Sequence, residues 1–340
     1  MQVSKKNFLG IDVSKPWFDV SLLPVINHVK QTVVSQRFDN STTGIKLFKE
    51  WLDAHSVSFD DNSLLVIENT GVYHRLIWSF CSKHNLQLHI GNAARIKWSL
   101  GITRGKSDVI DALRLCQYCY KQADELKATP ALNPVFMKLK DLMSSRSRLV
   151  TQLHSTKNYI KEIQCTNDKA LIALLDKAHK AAVDGIKKSI VQLETLIESI
   201  IKADPVIYNN YQLIKSVPGI GHLTAVYIIC CTNNFTNNAS GKQLANYAGV
   251  VPFGHSSGIS IKGKNRVHKM ANKDLKKMLH LCALTAIRYY PEFKQYFDRK
   301  KAEGKNGMLV LNAIRNKLVL RVVAVVNKQQ PYVDNTKLAA

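Results

Sequence analysis

Long apolar runs are missing from this 340-residue chain. No stretch approaches the roughly 18 uninterrupted apolar residues that a membrane-spanning helix needs, so no membrane span is expected. The opening MQVSKKNFLGIDVS has a lysine pair but neither a long apolar core nor a small-residue cleavage site. No secretory leader is therefore expected, and the reading is a cytoplasmic protein. Cysteine is sparse as well, with seven at scattered positions. The one CxxC, Cys116 with Cys119, falls in a helical pattern and has no second ligand pair. Free buried thiols in a reducing compartment are expected there rather than zinc or a disulfide framework. Acid is scarce too: 25 Asp and Glu against 48 Lys and Arg leave a net charge of +23. That surplus argues against a small neutral substrate and for a polyanion, meaning nucleic acid or an anionic membrane face. What is present excludes wholesale disorder, since 46% of the residues are hydrophobic and 8% aromatic. The length suffices for about two domains.

The charge is unevenly placed. Residues 1–128 hold 16 basic and 12 acidic side chains, net +4, whereas residues 261–330 hold 17 and 4, net +13. The first 128 residues alternate strand and helix signals. Asn7–Val13, Phe18–Leu23 and Gln31–Phe38 read as consecutive strands, followed by an amphipathic helix from about Thr43 to Ala54. Ser63–Glu68 (SLLVIE) is a continuous apolar run of the kind found in central, doubly covered strands. A helix over Tyr73–His84, a strand at Leu86–Ile90 and a helix over Ser107–Gln122 complete the segment, with Ser107 as its N-cap. Three strands in a meander, then α, β, α, β, α, is the order of elements in ribonuclease H-like nuclease folds, an α/β class.

Residues 136–204 contain no strand signal and no glycine except Gly185. Val183, Ile186, Ile190, Leu193, Ile197 and Ile200 step alternately by three and four, a heptad seam. With the helical pattern from Phe136 to Ile163 they predict a helical hairpin, buried against itself or a second subunit. From Tyr211 the pattern LIKSVPGIGHLTAVYIICC predicts a helix, a Pro-Gly-Ile-Gly turn at 218–221 and a second helix. This is a helix–hairpin–helix, in which Gly219 and Gly221 would let backbone N–H groups approach a DNA phosphate. Such a turn also occurs in purely structural hairpins. Ser240–Ala248 reads as helix, Gly249–Lys264 as a Gly/Ser-rich loop, and Asn272–Tyr290 and Met308–Asn327 as basic amphipathic helices. The expected domains are 1–128, a helical coiled-coil segment at 129–206, a mainly α domain at 207–330, and a tail at 331–340.

Four acids stand out. Asp12 lies inside an apolar strand, where a carboxylate is costly unless it is paired or binds a cation. Glu68 terminates the central apolar strand. Asp108 and Asp111, three apart on a helix, share one face. In the ribonuclease H-like layout these elements converge at one sheet edge. Four carboxylates there would form a hard oxygen cage for Mg²⁺ or Mn²⁺, and two such ions can clamp both oxygens of a reacting phosphodiester. Each acid alone has a plainer role: Asp12 capping a turn, Glu68 pairing with Arg75, Asp108 and Asp111 facing solvent beside Arg104 and Lys106. The joint placement outweighs these. The second unusual feature is the loop Tyr247–Gly258, where Ser256 and Ser257 precede a glycine. His255 lies beside them, and Lys262, Lys264, Arg266 and Lys269 follow. It could present a nucleophilic hydroxyl to a phosphate or be a simple turn.

Together these motifs carry a resemblance. GIDVSKPWFDV at 10–20, ENTGVYH at 68–74 and KSDVIDA at 106–112 resemble the N-terminal DEDD motifs of bacterial insertion-sequence transposases related to Piv DNA invertases, which have a RuvC-like domain. SVPGIGHLTA at 216–225, LANYAGVVPFGHSSG at 244–258 and GKNGMLVLNAIRNKL at 304–318 resemble the C-terminal transposase domain of that family. The resemblance implies a recombinase in which Asp12, Glu68, Asp108 and Asp111 bind Mg²⁺. The serine before Gly258, Ser257, would attack the phosphodiester and hold the strand as a phosphoserine; a one-residue slip would make it Ser256. It also implies donor and target DNA, a guiding bridge RNA, a homo-oligomer (dimer or tetramer) and a nucleoid-associated location. Covalent storage keeps the phosphoester energy for rejoining without ATP. The chain departs from the family in having Asn92-Ala93 where Asn-Pro is common, and over Ile259–Arg266. A RuvC-like endonuclease using water as nucleophile, and a non-catalytic DNA-binding protein, are the alternatives; the intact acid set argues against the latter.

Overall fold

The computed structural model describes residues 4–69, 71–101, 107–236, 240–257, 261–267 and 270–333, with the backbone alone over 254–257 and 261–266. It divides into two compact units, Met1–Asn133 and Pro134–Ala340.

The first unit is built on a mixed sheet. Strands β1 (Lys5–Val13), β2 (Trp17–Ile26), β3 (Val29–Lys30) and β4 (Val34–Asp39) are followed by helix α1 (Thr42–Ala54) and strand β5 (Ser63–Glu68). Helix α2 (Arg75–Lys83), strand β6 (Gln87–Gly91) and helices α3 (Ala93–Leu100) and α4 (Asp108–Lys121) complete the unit. β1 runs antiparallel to β2 and parallel to β5, which runs parallel to β6. β3 and β4 both pair with β2, so they act as one interrupted strand and the spatial order is β3/β4–β2–β1–β5–β6. This is the mixed α/β sheet that the element order predicts. α3 was not foreseen. Its N-cap is Asn92, whose side chain accepts from the N–H groups of Ala94 and Arg95. Ala93 therefore occupies the first helical position, where proline is favoured but alanine serves equally well.

Strand alternation sorts the side chains of β1 between two cores. Leu9, Ile11 and Val13 pack with Phe48, Trp51 and Leu52 of α1 and with Ile77 and Phe80 of α2. On the other face Phe8 packs with Leu115, Cys116 and Cys119 of α4 and with Val66 of β5. Between Phe8 and Asp12 on that face stands Gly10. A Cβ there would lie 2.0 Å from the Cys116 nitrogen and 2.3 Å from the Ala112 carbonyl oxygen. Helix α4 thus rests directly on the strand backbone. The cysteine thiols complete the seating, Cys116 donating to the Phe8 carbonyl (3.2 Å) and Cys119 to that of Leu64 (3.2 Å). All seven cysteines are free, as expected.

The chain after α4 stays with the first unit as far as Asn133. The Thr129 N–H donates to the Leu88 carbonyl, the Thr129 hydroxyl accepts from the Ile90 N–H, and the Leu132 N–H donates to the Ser82 hydroxyl. These bonds set the boundary five residues beyond the expected 128.

The second unit comprises α5 (Pro134–Ile163), α6 (Lys169–Ala203), α7 (Pro205–Ser216), α8 (His222–Thr232) and α9 (Gly241–Tyr247). A hairpin of β7 (Pro252–Ser257) and β8 (Ile261–Val267) follows, then α10 (Lys273–Tyr289), α11 (Pro291–Ala302) and α12 (Gly307–Lys328). The heptad seam of α6 is half-buried along its length and fully buried at Ile197, and Arg146 of α5 pairs with Glu194 at 2.6 Å. The base of this helical hairpin joins the same core as α7–α12, since Phe136, Leu139, Met143, Ile197 and Ile201 cluster with Ile214, Ile229, Leu279 and Leu318. The segment expected as a separate coiled coil therefore shares a unit with the C-terminal helices. Tyr332, in the expected tail, donates its N–H to the Ser216 hydroxyl.

One expectation is corrected. Gly249–Lys264 reads as a loop because glycine and serine dominate it, but 252–257 and 261–267 pair as antiparallel strands. Small side chains carry no alternation signal, so the ladder is invisible to a hydrophobic pattern. α11 escaped notice because its few core-facing residues, Phe293, Tyr296 and Phe297, are set among charged and polar ones.

Two glycines test the packing. Gly10→Ala is expected to cost about 3 kcal/mol of stability, the upper range for overpacking. Gly185→Ala, in α6 with open space around it, should add about 0.5–1 kcal/mol. Denaturant midpoints of the full chain measure both, and an unaffected Gly10→Ala protein would refute the direct contact of α4 with β1.

Candidate functional site

The face of β1 that carries Phe8 and Gly10 carries Asp12 next. On neighbouring β5 the corresponding face carries Leu64, Val66 and then Glu68, with Gly10 opposite Val66 in register. Both acids consequently stand where these parallel strands end, the edge at which α/β sheets bind ligands. Because Gly10 lets α4 down onto the strand around Ala112 and Cys116, the first turn of α4 brings Asp108 and Asp111 to the same edge. Ser107 caps that helix by accepting from the Ile110 N–H. Acids in a first helical turn are also favoured by the helix dipole.

Asp12, Glu68 and Asp111 line one cavity of about 420 Å³ with Ala93, Ala94, Ile96, Lys97, Leu100, Arg114 and Leu115. Burial, and then the charges of Asp111, Asp108 and Glu68, push the Asp12 carboxyl up to about 6 from its ordinary 3.8. The charges of the other three predicted acids therefore all reach Asp12. The cavity is short of positive charge at Asp12, which is the condition a divalent cation relieves. All-oxygen donors suit hard Mg²⁺ or Mn²⁺.

Two of the acids have other partners. Asp111 pairs with Arg114 at 2.9 Å. Asp108 accepts from the Trp17 indole (3.2 Å) and from Arg37 (3.4 Å). Among the described residues, no three His, Cys, Asp or Glu side chains are drawn together closely enough to hold a metal ion. Coordination by the full set requires Asp108 and Asp111 to exchange these partners for the cation.

The residues around Asp108 were missed in the sequence. Asp19 lies opposite Asp12 in the β1–β2 register and opposite Arg37 in the β2–β4 register. It is buried, and the Arg37 guanidinium donates two bonds to it at 3.0 and 2.9 Å. Arg37 also lies over the Trp17 ring at 4.7 Å. A fifth carboxylate is thereby neutralised next to the cavity. The signal was present in GIDVSKPWFDV, which holds both Trp17 and Asp19, but their connection to Arg37 depends on strand register.

In the second unit, β7 and β8 place Ser256 opposite Lys262, Ser257 opposite Ile261 and His255 opposite Gly263. The register shifts between Phe253 and His255, and Arg266 stands opposite Phe253. Ser257 is the last residue of its strand. Gly258 and Lys269 lie outside the described residues. Gly219 and Gly221 do sit at the turn between α7 and α8, but for different reasons. Gly219 has φ of +79°, and a Cβ on it would lie 2.5 Å from the Cys282 carbonyl oxygen of α10, so packing alone requires glycine. At Gly221 a Cβ would meet nothing, which leaves that side of the turn open to a ligand.

A mixed sheet in this order with carboxylates at its carboxyl edge defines the RuvC-like class of nuclease domains, which implies a divalent metal. Comparison with known proteins is more specific. A DEDD transposase family model of the IS110 type, described as "Transposase", matches residues 9–163, and one described as "Transposase IS116/IS110/IS902 family" matches residues 211–298. The chain is 28% identical over 332 residues to the pilin gene-inverting protein of Moraxella bovis, covering 96% of this chain and 98% of that one. It is 32% identical over 113 residues to the uncharacterized 43.6 kDa protein of insertion element IS110 from Streptomyces coelicolor, covering 33% of this chain and 27% of that one. The chain belongs to the IS110-type transposases, with a DEDD N-terminal domain, and is related to the pilin gene-inverting proteins. It is an enzyme that acts on DNA. No helix among the described residues is long and apolar enough to cross a membrane.

The raised Asp12 carboxyl gives a test independent of activity. A carboxylate whose folded value lies above its unfolded value costs stability when ionised. The cost is absent below about 4 and grows as pH rises towards about 6. In chelator, Asp12→Asn should therefore be more stable than wild type at pH 7.5, by about 1–2 kcal/mol after solvent screening. The difference should close near pH 4, and Mg²⁺ should raise the melting temperature of the wild type more than that of the variant. A variant less stable at pH 7.5 in chelator would refute the repulsion.

Proposed function

We propose that the protein is a DNA recombinase that cuts and rejoins strands through a serine nucleophile assisted by divalent metal. The observation that carries the reading is the convergence of Asp12, Glu68, Asp108 and Asp111 on one sheet edge, where burial and then the charges of the other three acids push the Asp12 carboxyl up to about 6. Those four acids would hold Mg²⁺ or Mn²⁺. The metal, when bound, would withdraw charge from the phosphoryl oxygens and stabilise the departing one.

The nucleophile is Ser257 on the β7–β8 hairpin. Its hydroxyl oxygen bonds to phosphorus as one deoxyribose oxygen departs with the bonding electron pair, and the proton lost by the serine is balanced by one taken up by the departing oxygen. The product is a phosphoserine and a free sugar hydroxyl. Attack on that phosphoserine by a hydroxyl from another strand releases the serine and seals the new junction, with no net loss of phosphodiester bonds. His255, Lys262, Lys264, Arg266 and Lys269 would hold backbone phosphates at the hairpin, and the turn at Gly219 and Gly221 would hold another. Donor and target DNA are chosen by pairing with a bridge RNA, and a homo-oligomer supplies the two sites that strand exchange needs. The net charge of +23 is in keeping with several polyanions on one protein.

Denaturing gels test the chemistry. A protein–DNA adduct should form in Mg²⁺, disappear in Ser257→Ala and persist in Ser256→Ala; metal-dependent cutting without an adduct in any variant would assign the attack to water. Asp12→Asn and Asp108→Asn should each lower strand cleavage by at least ~10³-fold, in line with losing a metal ligand or an electrostatic stabiliser, with DNA binding retained. Loss of binding in those variants would make the acids structural. Sequencing of co-purifying RNA should recover one discrete structured species, and its absence would remove the guide from the reading.

A further inference from the structure

Arg315 is buried on the inner face of α12, with only 6% of its surface exposed. Its Nε has no hydrogen-bond partner, and no ion pair involves it among the described residues. Burying an unpaired guanidinium is costly, and an external anion would relieve that cost.

It does not stand alone. Lys276 and His280 are one helical turn apart on α10, which packs against α12, and both are half-buried. His280 Nδ1 is likewise buried without a partner. Burial, and then the positive charge of Arg315, hold both Lys276 and His280 below their ordinary values. No carboxylate offsets this among the described residues: burial is the only influence on Arg315 itself. Two cations and a histidine are thus concentrated at one place, with two buried nitrogens unsatisfied.

The place adjoins the serine hairpin. Asn312, three residues before Arg315 on α12, donates to the Val250 carbonyl at 2.8 Å. Gly249, with φ of +63°, lies so close that a Cβ would come within 3.8 Å of the Lys276 Cδ. Val250 and Gly249 lead directly into β7. Arg315 also falls within GKNGMLVLNAIRNKL, a stretch to which the reading of the serine and the acids gives no task.

We propose that Lys276, His280 and Arg315 form an anion cradle at the root of the β7–β8 hairpin, which takes one backbone phosphate of the DNA strand on which the hairpin acts. The chemistry suits that ligand. A guanidinium donates two parallel bonds to phosphate oxygens, an ammonium adds a mobile point charge, and an imidazole N–H can donate to a third oxygen. The phosphate would also neutralise the charge that now stands unpaired. The proposal rests on the reading of the hairpin as the DNA-reactive element, but its test requires no cleavage.

Arg315→Met keeps much of the side-chain volume and removes the unpaired charge. The full-length variant should melt at a higher temperature than wild type while binding a DNA duplex at least ~10-fold more weakly, with the salt slope of log affinity reduced by about one phosphate. Greater stability with weaker binding is a combination that a merely structural arginine cannot produce. Lys276→Met, at a half-exposed position, should lower the slope in the same way without unfolding risk. Unchanged DNA affinity and slope in both variants would overturn the cradle. So would weakening confined to an RNA of the same sequence, or an Arg315→Met protein that melts lower. Binding is scored without Mg²⁺, so a missing serine adduct would leave this result standing, and a failed cradle would leave the adduct result standing.

Discussion

The contact of α4 with the bare backbone of β1 at Gly10 fixes the acidic edge of the first unit. A strand presents alternate residues to one face, so once Gly10 lies beneath Ala112 and Cys116, Asp12 must emerge just beyond the helix. The helix in turn must bring its first turn, with Asp108 and Asp111, past that point. The parallel pairing of β1 with β5 adds Glu68 in step. No side chain could take the place of Gly10 without lifting α4, and lifting α4 would separate the acids. The buried thiols belong to this arrangement: Cys116 and Cys119 donate to strand carbonyls, and burial pushes the Cys116 thiol up to about 12, so they seat the helix as small protonated groups.

Bringing four carboxylates together is unfavourable, and the first unit distributes the cost. Asp19 is neutralised outright by the two bonds from Arg37. Asp108 shares that guanidinium and the Trp17 indole, and Asp111 has Arg114. Asp12 has no such partner and carries the remaining repulsion. The same arginines that make this arrangement tolerable would compete with a cation for Asp108 and Asp111.

Much of this was readable in the sequence, for a physical reason. SLLVIE and NFLGIDV are apolar runs ended or interrupted by a charge, and such placement is too costly to be incidental, so Asp12 and Glu68 announce themselves. The Ser107 cap and the spacing of Asp108 and Asp111 are local. The Asp19–Arg37–Asp108 link joins three elements through register, and no window of sequence contains it. The hairpin at 252–267 was hidden by its composition, and α11 by the charged residues that surround its three core-facing aromatics. Arg315 was hidden in a different way: within an amphipathic basic helix an arginine reads as part of the solvated face, and only the fold reveals it on the buried one.

The two units treat charge in opposite ways, and the difference clarifies what a DNA enzyme of this kind must solve. In the first, net +4 over residues 1–128, acids are gathered at a cavity whose negative charge disfavours phosphate, a field that a divalent cation would reverse. In the second, net +13 over residues 261–330, cations are gathered, and at Arg315 one is buried with its Nε unpartnered. Under the proposed function, most of the long-range attraction for DNA falls to the second unit and requires no metal, whereas the acidic cavity of the first would favour phosphate only with a cation bound. Binding and cutting are thereby separable by chemistry: chelation should silence the acids without releasing the strand, because the groups that hold phosphate and the groups that polarise it answer to different counter-charges.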